Sequence, residues 1–278
     1  MKKKKNKSSN ILLILVFLAG LSLLLYPTVS NFVNTRNQSR VIADYRTELD
    51  AVDSETHAKM LAAARDYNAS LLERENEFTL DPQQQRQYEA LLDVTGSGVM
   101  GYVEIPCIDV TLPIYHTTEE SVLQTAAGHV DWSSLPVGGE STHCIISGHR
   151  GLPTAELMTH IDRLRVGDRF YMNVLGQTLE YQVDQVKVVL PEDTTYLKIE
   201  EGQDYVTLVT CTPYGINSHR LLVRGVRVLN GRVTAERLLL TNEVEEISLI
   251  YVLPAALLLV VLTVMIVLGV CRLVRRKK

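Results

Sequence analysis

The sequence predicts a mainly β domain in the form of a closed or nearly closed barrel, preceded by a helical leader and flanked by two transmembrane helices. Three patterns indicate this arrangement. Short runs rich in β-branched residues, separated by glycine and proline, fill residues 98–230. Apolar residues at helical spacing occupy residues 40–77. An uncharged apolar stretch lies near each end of the chain.

The first apolar stretch, residues 11–29, is predicted to be a transmembrane anchor. Its core reads ILLILVFLAGLSLLL and carries no charge, and roughly 20 such residues cross a bilayer as a helix. The lysine-rich tail before it, residues 1–10, is expected to stay in the cytoplasm. Cleavage as a signal peptide near residues 28–30 is the alternative. Under either interpretation the residues that follow are exported.

The second apolar stretch, residues 248–270, is predicted to be a transmembrane helix. A basic tail follows it at residues 271–278, which again favours a cytoplasmic end. Both termini are therefore predicted inside, with the catalytic domain outside the plasma membrane. An apolar tail before basic residues is also typical of a cell-wall sorting signal, but the linker at residues 231–247 contains no LPxTG-like site. A plain anchor is the interpretation we prefer.

The exported leader, residues 30–97, is predicted to be helical. Apolar residues in Arg40 to Glu77 recur at helical spacing, which fits one or two amphipathic helices. Asp81 followed by Pro82 is typical of a helix N-cap and first helical position, so a short helix is expected from Pro82 to Leu92. The turn-rich sequence DVTGSG then marks the boundary with the barrel.

The barrel domain, residues 98–230, is expected to be antiparallel, with two short helical pieces at Ser121 to Ala126 and Thr154 to Ile161. Its predicted strands are Val99 to Ile105, Leu112 to Tyr115, His143 to Ser147, Phe170 to Val174, Leu179 to Leu190, Tyr205 to Cys211 and Leu221 to Leu229.

The charge distribution disfavours nucleic acid as a partner. Ten of the 28 basic residues lie in the two terminal tails, which leaves 18 against 32 acidic residues between them. A surface that neutralises phosphates needs clustered lysine and arginine, and an acidic body does not provide it.

The four cysteines, Cys107, Cys144, Cys211 and Cys271, are too few for a disulfide framework, and no pair has zinc-site spacing. Cys271 lies at the predicted cytoplasmic edge of the second membrane helix. Either it is lipidated there or it has no specific role, and the second is the interpretation we prefer. For Cys107 and Cys144 packing is preferred over a mutual disulfide.

Cys211 is the candidate nucleophile. It ends the β-rich run YVTLVTC, and the loop TPYGINSH leads into the next run, which begins at Arg220. If the two runs pair as a hairpin, Cys211 and Arg220 face each other on one side of the sheet. A thiolate that attacks a carbonyl and a fixed donor for the resulting oxyanion need such a pairing. A small buried cysteine and a surface arginine are the alternatives.

His149 is the candidate proton donor among seven histidines. It lies in SGHRG, after the predicted strand HCIIS, with glycines on each side that let a loop bring the ring to a cleft. His57 and His160 fit surface positions, and His219 alternates with Arg220 and so points to the opposite side of the strand.

These motifs resemble those of the sortases. TLVTCTPYGINSHRLLVRG is similar to the sortase signature, ISGHRGLP to its histidine motif, and YVEIPCIDVTLPIYH to its opening strands. The resemblance implies an eight-stranded sortase-type β-barrel with His149, Cys211 and Arg220 as catalytic residues. It also implies that no metal or organic cofactor is needed.

Three features resemble class C, the pilus-assembling branch of the sortases. They are the helical leader, the C-terminal anchor and the sequence TPYGINSHRLLVRG. That class carries a lid with an Asp-Pro-aromatic motif over the active site. Asp81 and Pro82 match it, but Gln83 stands at the aromatic position. Phe78 and Tyr88 are the candidates for the missing ring. The residues predicted for the lid are Phe78, Asp81 and Pro82.

The function implied by the resemblance is cysteine transpeptidation. Cys211 would cleave an LPxTG-like sorting signal between Thr and Gly through a thioester, and a pilin lysine amine would resolve it to give a polymer. Attachment of surface proteins to a peptidoglycan precursor, hydrolysis by a thiol protease and a non-catalytic scaffold are the alternatives. The expected partners are LPxTG-bearing pilins or surface proteins, an amine acceptor and the membrane.

Overall fold

The computed structural model describes residues 7–73 and 79–228. Eight strands form a closed barrel in the order β1-β2-β3-β4-β7-β8-β6-β5. The strands are β1 Val99–Ile105, β2 Val110–Tyr115, β3 Ala127–His129, β4 Thr142–Ser147, β5 Arg169–Val174, β6 Gln177–Val189, β7 Asp204–Thr212 and β8 His219–Arg227. The predicted eight-stranded barrel is confirmed.

The barrel is mixed rather than antiparallel, which corrects the expectation from the sequence. β2 pairs with β3 in parallel, and so does β4 with β7. The chain leaves β4, builds β5 and β6 on the other side of the barrel, and returns as β7 beside β4. β3 has only three residues, Ala127–His129, too few to show a strand pattern in the sequence.

In the described part of the chain, four α-helices accompany the barrel: α1 Lys7–Ala51, α2 Ser54–Leu71, α3 Pro82–Glu89 and α4 Glu120–Leu123. The predicted leader helices are confirmed. α1 ends just before Asp53, whose side chain caps α2 by accepting bonds from the amides of Glu55 and Thr56. Asp81 caps α3 in the same way, with Pro82 at the first helical position.

α1 is one continuous helix of 45 residues. Within the described residues it contains one stretch, Leu13–Ala51, that is long and apolar enough to cross a membrane. Its C-terminal part packs on the barrel through buried Ile42, Tyr45 and Leu49. The Tyr45 hydroxyl donates to the Met100 carbonyl at 3.1 Å and accepts from the Leu175 amide at 2.9 Å. The helix is therefore fixed to two barrel segments at one polar point.

The predicted helix from Thr154 to Ile161 is wrong. These residues form turns, and a short 3-10 helix follows at Ile161–Arg163. Leu157 has a φ of 41°, which an α-helix does not accommodate. The Thr154 carbonyl accepts from the Asn34 side chain of α1, and the Met158 amide, its helical partner, donates to the His149 carbonyl instead.

The cysteines of the barrel are not joined by a disulfide. Cys144 is buried in β4, as predicted, and Cys107 is exposed. Cys107 lies in a 3-10 turn, Pro106–Ile108, so the packing role predicted for it is wrong.

Several predicted features lie outside the described residues. They are the start of the N-terminal tail, Phe78 of the lid, the linker at 231–247, the C-terminal membrane helix at 248–270 and the tail at 271–278 with Cys271.

Candidate active site

Cys211 and Arg220 face each other across the β7–β8 hairpin. β7 and β8 are antiparallel, and Cys211 is the register partner of Arg220, as the sequence predicted. Cys211 is partly exposed. The Arg220 Nη1 lies 3.3 Å from the carbonyl of His219 and 3.5 Å from that of Asn217, which keeps its guanidinium at the mouth of the hairpin loop. A thiol and a fixed cation thus share one face of the sheet.

His149 leaves β4 directly beside the end of β7. The last register pair of these parallel strands is Ser147 with Val209. Gly148 then donates its amide to the Val209 carbonyl at 3.0 Å, and its own carbonyl accepts from the Thr210 hydroxyl at 2.8 Å. His149 is the next residue of one chain segment, and Cys211 is the next residue of the other.

A Cβ at either glycine of SGHRG would meet a close neighbour, and Gly151 also has a left-handed backbone conformation. A Cβ on Gly148 would lie 2.8 Å from the Met158 side chain. A Cβ on Gly151 would lie 2.9 Å from the Tyr214 ring, and Gly151 has a φ of 78°. The loop after His149 is therefore packed tightly between Met158 and the β7–β8 loop.

Glu120, the first residue of α4, is the carboxylate next to His149. Its Oε2 lies 3.1 Å from the His149 Nε2, and the two side chains are 68% and 26% exposed. Hydrogen bonds from Gln124 and then from His149 lower the pKa of Glu120. This carboxylate can hold the imidazole in one orientation.

Arg150 joins the loop that carries His149 to the loop that follows Cys211. Its guanidinium donates to Asp162 at 2.7 Å, lies 3.5 Å from the hydroxyl of Thr212, and sits 6.0 Å from the centre of the Tyr214 ring. The side chain is only 10% exposed. Its Nε has no hydrogen-bond partner within the described part of the chain.

The other two described thiols are poor nucleophiles. Burial raises the pKa of Cys144 well above its ordinary value. Partial burial and then the charge of Asp168 raise the pKa of Cys107. The thiolate is the reactive form of cysteine. A raised pKa lowers the thiolate fraction, so Cys144 and Cys107 are disfavoured as nucleophiles.

Of the predicted lid, the structure describes Asp81 and Pro82. Asp81 is the N-cap of α3 and Pro82 is its first residue. Asp81 and Gln84 form a reciprocal capping box there. Tyr88, one of the two aromatic candidates, does not fill the missing position. It is fully buried, donates its hydroxyl to the Nδ1 of His129 at 2.9 Å, and is thus committed to the core.

Sequence reasoning missed two residues of the site. Glu120 gave no signal, because an exposed acidic pair before a short helix is common. Arg150 had one, since it follows His149 directly and lies between the same glycines. Of the described residues, no three His, Cys, Asp or Glu side chains are grouped to hold a metal ion.

Comparison with known proteins identifies the family. The sortase domain model matches residues 103–228. The structure of sortase C1 from Streptococcus agalactiae is 46% identical, with a TM-score of 0.68, over 69% of this chain and 100% of that one. The chain belongs to the class C sortases. Sortases are cysteine transpeptidases.

Other relatives agree with this assignment. Sortase C from Streptococcus pneumoniae is 44% identical with a TM-score of 0.62, covering 68% of this sortase and 96% of that chain. Sortase A from Bacillus anthracis is 29% identical over 127 residues, which are 46% of this sortase and 59% of that protein. The match to Bacillus subtilis sortase D covers 63% of that protein. This sortase thus spans less than two thirds of these two curated relatives.

Proposed function

We propose that this sortase is a membrane-anchored transpeptidase that joins LPxTG-like sorting signals to lysine amines of pilins. The observation that carries the proposal is the register pair of Cys211 and Arg220, with His149 entering beside it from the neighbouring strand. Three side chains from three adjacent strands would then act on one carbonyl group.

In the first step, the Cys211 sulfur attacks the carbonyl carbon between Thr and Gly of the sorting signal. A C–S bond forms, and the carbonyl electron pair moves to oxygen, where the Arg220 guanidinium donates hydrogen bonds. The tetrahedral adduct collapses, the C–N bond breaks, and His149 as imidazolium gives its proton to the leaving glycine amine. A thioester on Cys211 remains.

In the second step, a neutral lysine amine attacks the thioester carbon. A C–N bond forms, the C–S bond breaks, and the thiolate is regenerated. The proton of the attacking amine passes to His149, which is thereby ready for the next cycle. The product is an isopeptide link between two protein chains.

An apolar cluster supports a substrate with an apolar sorting signal. Val209 lies two residues before Cys211 and Leu222 two after Arg220, so both lie on the same face as the proposed catalytic pair. They pack with Ile145 and Val189, and partly buried Trp132, Tyr196 and Leu197 cover them. A leucine and a proline of a sorting signal would bind on the exposed parts of Trp132, Tyr196 and Leu197.

The acceptor is proposed from the relatives. The Streptococcus pneumoniae sortase C structure is described in terms of pilin substrate specificity, and a Clostridium perfringens sortase C structure contains a C-terminal cell wall sorting motif. We extend both to this sortase. We also propose that its apolar N-terminal helix spans the plasma membrane with the barrel outside, since the basic tail before it favours the cytoplasm.

The test uses the full chain in detergent micelles with a labelled LPxTG peptide. Wild type is expected to form a thioester seen as an intact-mass adduct, and Cys211→Ala none. The adduct is then offered a lysine-bearing pilin domain, a peptidoglycan-type amine or water alone. Transfer to the pilin lysine supports the proposal. Preferential transfer to the peptidoglycan-type amine or to water would assign the alternative functions, and a thioester in Cys211→Ala would refute the nucleophile.

We also propose that the segment bearing Phe78, Asp81 and Pro82 covers Cys211. Asp81 and Pro82 fix the start of α3, so replacing both with alanine frees the residues before it. Thiol labelling of Cys211 is expected to become several times faster. Asp53→Ala, which removes the equivalent cap from α2, is the matched control. Equal labelling rates in wild type and both variants would mean that no lid is present.

A further inference from the structure

Three amide side chains lie on one face of α1, at Asn31, Asn34 and Gln38. We call them the amide stripe. Their spacing of three and four residues continues into Ile42, Tyr45 and Leu49, which are buried against the barrel. The amide stripe therefore faces the barrel domain, on the part of α1 that directly follows the predicted membrane anchor.

Two members of the amide stripe hold the loop after His149. The Asn31 Oδ1 accepts a bond from the Glu156 amide at 2.8 Å, and the Asn34 Nδ2 donates to the Thr154 carbonyl at 2.8 Å. Because both partners are backbone groups with a fixed role, the orientation of each amide is determined. One asparagine accepts and the other donates.

The bonds from Asn31 and Asn34 are linked to His149 through Met158. The loop turns back after Glu156, and the Met158 amide donates to the His149 carbonyl at 3.1 Å. Met158 is fully buried and packs against Gly148, where no Cβ would fit. A shift of residues 154–156 would therefore move Met158, and with it the backbone of His149.

The third member holds the segment that contains the carboxylate partner of His149. The Gln38 Nε2 donates to the Thr125 carbonyl at 2.7 Å, just after α4. Gln38 is buried. α4 begins at Glu120, which contacts the His149 ring. The amide stripe thus contacts both the loop that follows His149 and the segment just after α4, the helix whose Glu120 contacts the His149 ring.

We infer that the amide stripe consists of positioning residues for His149, so that the membrane-anchor helix sets the geometry of the proton donor. The inference rests on the role proposed above for His149. Cys211 and Arg220 do not need such support, because main-chain pairing between β7 and β8 fixes them. The stripe should therefore affect proton transfer and leave the thiol unchanged.

The opposite bonding of the two asparagines gives a sharp test. Asn31→Asp keeps an oxygen that accepts from the Glu156 amide, so its kcat for thioester formation is expected within about twofold of wild type. Asn34→Asp places a carboxylate against the Thr154 carbonyl and is expected to lower kcat about tenfold or more, because small displacements of a catalytic group are costly. KM is expected to stay unchanged in both. Asn37→Asp, an exposed position on the same helix, is the control for the added charge.

Two further measurements on the full chain in micelles separate this inference from the proposed function. Hydrogen exchange at the Glu156 amide should accelerate in Asn31→Ala, and Cys211 labelling should match wild type in every variant. Suppose that wild type forms no thioester, but Glu156 exchange is faster in Asn31→Ala and Cys211 labelling is unchanged. The proposed function would then be wrong, and the contact between the amide stripe and the loop would still be supported. Equal kcat in Asn34→Asp, Asn37→Asp and wild type would overturn the inference, and so would unchanged Glu156 exchange in Asn31→Ala.

Discussion

The two halves of the candidate active site are held by different kinds of structure. Cys211 and Arg220 are register partners in neighbouring strands, and Arg220 is also paired with Val189 of β6 on its other side. His149 lies one residue beyond the last bond of its strand, and α1, α4 and its own loop determine its position. The strand half is specified by local sequence, whereas the loop half depends on contacts with residues more than a hundred positions away.

This difference predicts distinct mutational behaviour in the two halves. Changes to the strand half should remove a chemical group and leave the geometry intact. Changes around the loop half should leave the chemical groups in place and alter their geometry. The following substitutions sharpen that contrast, from the largest expected effect to the smallest.

The largest effect is expected at the strand half from Arg220→Lys. An ammonium cannot reproduce the planar fork of guanidinium donors, and loss of an oxyanion donor costs roughly 100-fold to 1,000-fold in kcat. The rate of thioester formation with a sorting-signal peptide is the measurement, and Cys211 labelling should stay at the wild-type rate. Near-normal turnover would remove Arg220 from its proposed role.

An intermediate effect is expected at the junction of the halves from Arg150→Lys. The lysine keeps the charge but cannot reach Asp162, Thr212 and the Tyr214 ring together. Loss of a hydrogen bond to a charged group costs roughly 1.5 kcal/mol, which is about tenfold in rate if it falls on the active geometry. Arg163→Lys, exposed nearby, is the control. A wild-type kcat together with a lowered melting temperature would show that Arg150 stabilises the fold alone.

The smallest effect is expected at the loop half from Glu120→Gln. The pair with His149 is exposed, so its loss should lower kcat about twofold to fivefold at neutral pH, and less at high salt. Because the bonds from Gln124 and His149 lower the pKa of Glu120 below 4.5, its carboxylate stays charged to more acid pH than an ordinary glutamate. The difference between variant and wild type should therefore persist below pH 4.5 and disappear once the pH falls through the lowered pKa. A difference lost at higher pH would contradict this.

The sequence predicted the strand half well for a physical reason. β-branched alternation and a short loop between Thr212 and His219 determine a hairpin, and hairpin register follows from its own residues. The glycines around His149 also carried local information. The parallel pairing of β4 with β7, the three-residue β3 and the contacts of α1 join segments distant in sequence, and no local pattern encodes them.

The failed helix at Thr154 to Ile161 has the same origin. Its composition allows a helix, but Asn34 of the amide stripe donates to the Thr154 carbonyl, and the Met158 amide that would donate there in a helix donates to His149 instead. Tertiary contacts overrode a weak local preference. Only the folded chain shows that Asn31, Asn34 and Gln38 share one face of α1, and what they touch.

The unbroken course of α1 has a consequence for which proteins can be joined. A helix rises 1.5 Å per residue, so Asn31 to Gln38 covers about 10 Å along its axis. If the apolar end of α1 spans a bilayer, as proposed above, the unbroken helix holds the histidine loop at a set height above it, without a flexible tether. Chains whose own hydrophobic tails are still embedded beside it would present their cleavage point at that height, and chains already released from the membrane would not.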